Sequence, residues 1–183
     1  MYLIDGAANM GKVFNRLKRQ INPIKYWRKK GAIIGEGCEI YPSASIDSEP
    51  YLVKIGNHVR INSYVHLITH DGACWVVRGS NNGLDDCDLF GKINIGNNVS
   101  IGTGALIMPN VTIGDNCIVG AGAVVTKDIE PNIVVAGVPA RKIETVDEYI
   151  KKHSEQFLHT KNMSDKEKQA FVSKKLLNKP SNN

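Results

Sequence analysis

Between Ile95 and Glu130 the chain repeats itself every six residues. Ile95, Ile101, Ile107, Ile113, Val119 and Val125 each open a unit, so a branched aliphatic recurs in strict register. A small or aliphatic residue follows four places later, at Val99, Ala105, Val111, Cys117, Ala123 and Ile129. The same phase returns upstream at Ile34, Ile40 and Ile46, and again at Ile55, Ile61 and Leu67. A short fixed period of this kind marks a solenoid, whose units bury their apolar residues only by stacking on one another.

Six fits no helical period. Three flat strands, each a unit of six, close into a triangular coil of about eighteen residues with the opening aliphatics inward, and coils stack at the strand spacing of about 4.8 Å. Glycine at the second position of a unit suits a bend where a side chain would crowd the next face. Asn and Asp at the third and fourth positions tolerate left-handed turn geometry. A buried helix is excluded because Gly and Asn recur inside every candidate window.

Three segments follow. Residues 1–30 form a basic amphipathic N-terminal segment in which Lys12, Arg16, Lys18, Arg19, Lys25, Arg28, Lys29 and Lys30 face a single acid, Asp5. Val13, Phe14, Leu17 and Ile21 give it a helical stripe, broken near Pro23. Two readings fit: a solvated basic helix capping the open end of the solenoid, or peripheral contact with an anionic membrane surface. Residues 31–138 hold the coils, with a small irregularity at 47–54 around Pro50 and a projecting loop at 69–92. Residues 139–183 form a C-terminal extension with helical patterns over Val146–Leu158 and Lys166–Leu177, opened by Asp or Ser.

The net charge of +5 comes largely from the first segment. No base-stacking or groove-reading motif accompanies it, so nucleic acid is not expected as a partner. No apolar run is long enough to span a bilayer and no signal peptide is apparent. Cys38 and Cys117 occupy small inward positions, while Cys74 and Cys87 lie in the loop outside any CxxC pair. Reduced thiols, and hence a cytoplasmic setting with any membrane contact at its inner surface, are the expectation.

Of five histidines, His153 and His159 lie outside the repeats and His58 takes a polar position within a coil. His66 and His70 stand where the coil runs into the projecting loop, a place that suits a general base on a rigid scaffold under a closing loop. Asp71, Trp75 and Arg78 are the loop residues best suited to contact an acceptor: an aromatic face stacks on a sugar ring and a carboxylate bonds hydroxyls.

The run Ser63-Tyr-Val-His-Leu-Ile-Thr-His-Asp71, a loop, the coils from Ile95, and the ending VVTKDI…AGVPAR up to Arg141 resemble the hexapeptide-repeat acyltransferases. The likeness spans about residues 31–145 and is to the maltose, galactoside and xenobiotic acetyltransferase branch, which includes sugar and capsular polysaccharide O-acetyltransferases. That resemblance implies a mainly β fold, a left-handed parallel β-helix, and acetyl-CoA as co-substrate without a required metal. It implies a homotrimer with active sites between subunits, and direct transfer to a saccharide hydroxyl. By position His70 matches the family's general base, with His66 the runner-up. Gly102, Thr103, Ala121, Thr126, Lys127 and Arg141 match its coenzyme-binding positions.

Two other reactions are compatible with the same fold. One is N-acetylation of a nucleotide-linked amino sugar; the other is carbonic-anhydrase-like metal catalysis using His66 and His70, for which no third ligand is evident. A purely structural or ice-binding solenoid would need neither the loop histidine nor the distinctive ending.

Overall fold

A computed structural model describes residues 18–80 and 83–177. The basic stripe through Lys12, Val13, Phe14, Arg16 and Leu17 lies outside the described residues. The coils form three parallel sheets. The first stacks β1 (Ile33–Ile34), β4 (Val53–Ile55), β7 (Ile93–Ile95) and β10 (Val111–Ile113). The second holds β2 (Glu39–Ile40), β5 (Arg60–Ile61), β8 (Ser100–Ile101), β11 (Ile118–Val119), β13 (Ile133–Ala136) and an antiparallel β14 (Arg141–Thr145). The third holds β3 (Ser45–Ile46), β6 (His66–Leu67), β9 (Leu106–Ile107) and β12 (Val124–Val125). The result is a left-handed parallel β-helix.

The register explains the repeat. Ile40, Ile61, Ile101 and Val119 pair in sequence along one face, and Ile46, Leu67, Ile107 and Val125 along another. All of these are buried, which makes the core a column of aliphatics. The fourth position of many units turns the corner with positive φ, as at Gly37, His58, Asn98, Asn116 and Asn132. The third position ties coils together: Asn57 Oδ1 accepts the Glu36 N–H at 2.8 Å, Asn97 Oδ1 the Asn57 N–H at 2.9 Å, and Asp115 Oδ1 the Asn97 N–H at 2.6 Å.

The first end of the column is capped. Asn22 accepts the Lys25 N–H and Pro23 opens α1 (Pro23–Lys29), so the proline that interrupts the preceding helical residues also starts a new helix. Trp27 on α1 is buried in the core cluster, with Ile24 packed beside it. Arg28 fixes the helix by donating to the Ile34 and Gly35 carbonyls and to Glu36.

After β6 the expected loop departs at Thr69 and the coils resume at Ile93. Its two arms are zipped by Gly91 N–H to Thr69 C=O and Asp71 N–H to Leu89 C=O, and it carries α2 (Cys74–Arg78). All four cysteines are free; Cys74 and Cys117 are buried, and Cys38 is only partly so.

The extension after Pro139, expected to carry helices over Val146–Leu158 and Lys166–Leu177, also contains a strand that its pattern did not reveal. It begins with β14, which folds back on β13, before α3 (Val146–His153). The described residues divide into two compact units, one ending at Tyr149 and the other beginning at Ile150. In the second, Ser164 and Glu167 form a capping box that starts α4 (Asp165–Leu176).

Candidate active site

His66 sits on β6 and His70 three residues past its end, on the first arm of the loop. Each imidazole meets a carboxylate from the preceding coil. His66 Nε2 lies 2.5 Å from Asp47 Oδ1, and His70 Nδ1 lies 3.0 Å from Glu49 Oε2 and 3.6 Å from Asp47 Oδ2. Thr69 completes the cluster, giving its N–H to Asp47 at 3.1 Å and its Oγ1 hydrogen to Glu49 at 2.7 Å. The carboxylates are only 13% and 12% exposed, whereas the imidazoles are 40% and 42% exposed; the acids are held inside while the bases reach solvent.

The electrostatics follow this geometry. The hydrogen bond to Glu49 raises the His70 pKa above its usual 6.5; burial opposes it, and the charges of Asp47, Glu49 and Asp88 add to it. Burial would raise the Glu49 carboxyl, but hydrogen bonds from Ser48, Thr69 and His70 outweigh it and hold the carboxyl below its usual 4.5. With Nδ1–H on Glu49, His70 keeps Nε2 as the nitrogen that can accept a proton. Phe90, from the second arm, stands edge-on to its ring at 6.5 Å between centroids.

Asp47 and Glu49 were not among the residues singled out from the pattern, although the small irregularity around Pro50 is where they arise. Ser45 pairs with His66 and Ile46 with Leu67, so the next residues, through Glu49 and His70, fall side by side 21 residues apart. That register, continued past the strand, is the signal that could have found them.

The loop residues have mixed placements. Asp71 accepts the Ala73 N–H at 2.8 Å and so shapes the turn. Trp75, on α2, is 79% exposed. Arg78 donates to the Cys87 carbonyl at 2.8 Å and pairs with Asp88 at 2.7 Å, holding the loop's return arm.

Gly102 and Ala121 stack at one corner, where a side chain on Gly102 would run into the Ala121 backbone; the Thr103 carbonyl accepts the Gly122 N–H alongside. The absent side chain lets the two coils stack closely, with Thr103 and Ala121 exposed at the corner. Thr126 and Lys127 follow β12, and Arg141 opens β14. Lys127 and Arg141 line one cleft of about 460 Å³ together with Lys142, a cation that the pattern did not single out. Three cations therefore share this cleft with two acids, Asp128 and Glu130, and an Arg guanidinium and a Lys ammonium are groups that can bind phosphate. Among the described residues, no group of three or more His, Cys, Asp and Glu side chains is placed to hold a metal ion.

The family model for the bacterial transferase hexapeptide (six repeats) matches residues 92–127. Protein CapG of Staphylococcus aureus is 45% identical over 166 residues, covering 89% of this chain and 94% of CapG. Galactoside acetyltransferase in complex with coenzyme A superposes with a TM-score of 0.54 at 26% identity, over 82% of this chain and 88% of that one. The acetyl-CoA complex of the hexapeptide-repeat acetyltransferase VCA0836 of Vibrio cholerae shares the fold, with a TM-score of 0.60 at 23% identity over 72% and 82% of the two chains. Since the repeat model falls on the coils beside the His70 loop and CapG aligns along nearly all of both chains, this chain belongs to the bacterial hexapeptide-repeat transferases.

Proposed function

We propose that this chain transfers an acetyl group from acetyl-CoA to a hydroxyl of a saccharide, with His70 as the general base. Its acetyltransferase class follows from its family and from relatives that include galactoside O-acetyltransferase and structures holding coenzyme A or acetyl-CoA. The observation that carries the assignment of the base is the His70–Glu49 pair: an accessible imidazole oriented by a buried carboxylate at the root of a two-armed loop.

When bound, acetyl-CoA supplies an acetyl group already activated as a thioester. The acceptor hydroxyl is a poor nucleophile until its proton is removed. His70 Nε2 accepts that proton while the oxygen bonds to the acetyl carbon, a contribution typically worth about 10²–10⁴-fold. Glu49 stabilises the imidazolium that forms, and the proton then passes from His70 to the sulfur as the carbon–sulfur bond breaks. Bond formed, bond broken and proton moved balance without a covalent enzyme intermediate. Holding both substrates in place supplies about 7 kcal/mol or more.

Lys127 and Arg141 would take coenzyme phosphates, and the Gly102–Ala121 corner the extended arm. Trp75 would offer a sugar-stacking face. We place the reaction in a homotrimer, with the site completed between neighbours, and in the cytoplasm, where free thiols such as the four here persist.

Thiol release from acetyl-CoA, measured against free sugars, nucleotide sugars and polysaccharide fragments, tests this reading. His70→Ala is expected to lose about 10²–10⁴-fold in turnover while still binding acetyl-CoA. Near-normal turnover in that variant would remove His70 from the role, and products acetylated only on amino groups would overturn the hydroxyl assignment.

A further inference from the structure

The capping helix has two faces with different chemistry. Trp27 and Ile24 look into the core, so α1 is anchored to the coils. Facing away from them, Lys18, Lys25, Lys29 and Lys30 surround a shallow groove of about 450 Å³, whose floor includes Ile21 and Tyr26. Ile21 is 82% exposed in the midst of these lysines. No acid occurs between Lys18 and Gly35; the nearest, Glu36, is engaged by Arg28. The coil core reaches this face only through Tyr26, and the His70 site does not use it.

We propose that this groove is a docking surface for an anionic lipid bilayer, with the four lysines on headgroup phosphates and Ile21 inserted between headgroups. Charge complementarity supports the assignment: cations on α1 and at Lys18 flank Ile21, an exposed aliphatic residue just before the helix, the arrangement that suits the boundary between water and acyl chains. Nucleic acid is a poorer match, because the patch presents one partly buried aromatic ring and no groove-reading helix. Among the described residues no helix is long and apolar enough to cross a membrane, so the contact is peripheral.

The test is sedimentation of the full chain with vesicles of phosphatidylglycerol mixed with phosphatidylcholine, against phosphatidylcholine alone. Binding is expected only to the anionic vesicles and lost at about 1 M salt, where the screening length falls to about 3 Å. Replacing Lys18, Lys25, Lys29 and Lys30 by Gln should weaken binding about a hundredfold or more, with acetyl transfer to a soluble acceptor unchanged. Ile21→Asp should weaken it as well. Replacing Lys166, Lys168, Lys174 and Lys175 on α4 by Gln removes the same charge elsewhere and should change binding by less than about twofold. The proposal is overturned by no binding to anionic vesicles, by equal loss in both lysine sets, or by a single-stranded RNA oligonucleotide binding the patch more tightly than the vesicles do.

Discussion

Glu49 Oε2 stands 3.0 Å from His70 Nδ1 and 2.7 Å from Thr69 Oγ1, so one buried oxygen orients both neighbours of the loop's first arm. The pair sets which imidazole nitrogen is available and at what pH it is neutral.

Glu49→Gln keeps the shape but removes the charge. The carboxylate raises the His70 pKa, so its loss should shift the acid limb of the pH–rate profile to lower pH, because the imidazole stays neutral further down. The plateau should fall by about 10- to 100-fold, the equivalent of the 1.5–3 kcal/mol of a hydrogen bond to a charged group. In stability the wild-type carboxylate contributes above its ordinary pKa and is lost as pH falls through its lowered folded value, so acid unfolding should be less steep in the variant. An unshifted acid limb would show that Glu49 does not tune the base.

His66→Ala separates the two imidazoles. His66 is committed to Asp47, and Asp47 keeps the Thr69 N–H when His66 is gone. Turnover is expected to stay within about tenfold of wild type, well short of the 10²–10⁴-fold expected for loss of a general base. Steady-state kinetics of the two single variants decide the matter; the reverse ranking would move the base to His66.

Gly56→Ala probes the stacking that makes the platform. A side chain there would meet the Gly96 carbonyl oxygen at 2.6 Å and its carbon at 2.7 Å, both backbone atoms that cannot swing aside. Overpacking of this kind costs about 1–3 kcal/mol, to be read from urea unfolding. Gly72→Ala, where nothing lies within 4 Å, should stay within about 0.5 kcal/mol of wild type.

The coils were legible because burial on a stacked strand recurs at fixed positions of the unit, and Ile61, Ile101 and Val119 hold the first of those positions in register. The loop was legible because its Gly, Asn and Asp clusters break that recurrence. The carboxylates were not, for a geometric reason. Coils that follow without interruption pair residues 18 apart, as Asn98 with Asn116 do, whereas the turn at Pro50–Leu52 lengthens the step to the 21 that aligns Glu49 with His70. Strand β14 was hidden because it is largely exposed and held by pairing with β13 rather than by the repeat, so Arg141 to Thr145 carry no inward aliphatic column.

Lys127, just past β12, and Arg141, at the start of β14, line the same cleft, and their part in coenzyme recognition can be isolated from catalysis. The corner at Thr126 follows β12, two strands beyond β6 in the same sheet, or about 10 Å along the axis at the usual strand spacing. A cation there is too remote to move the proton at His70 but suitably placed for the phosphates at the far end of an extended arm. Lys127→Ala and Arg141→Ala should therefore each raise the KM for acetyl-CoA by about tenfold and leave kcat within about twofold, the pattern of lost uniform binding. Lys142→Ala measures whether the third cation of the cleft shares the load. Competition by coenzyme A and by dephospho-coenzyme A assigns the contact: a variant that no longer distinguishes them has lost the cation that reads the ribose phosphate. If both variants keep the wild-type KM, the cleft does not hold the phosphates and the coenzyme lies along another corner of the coils.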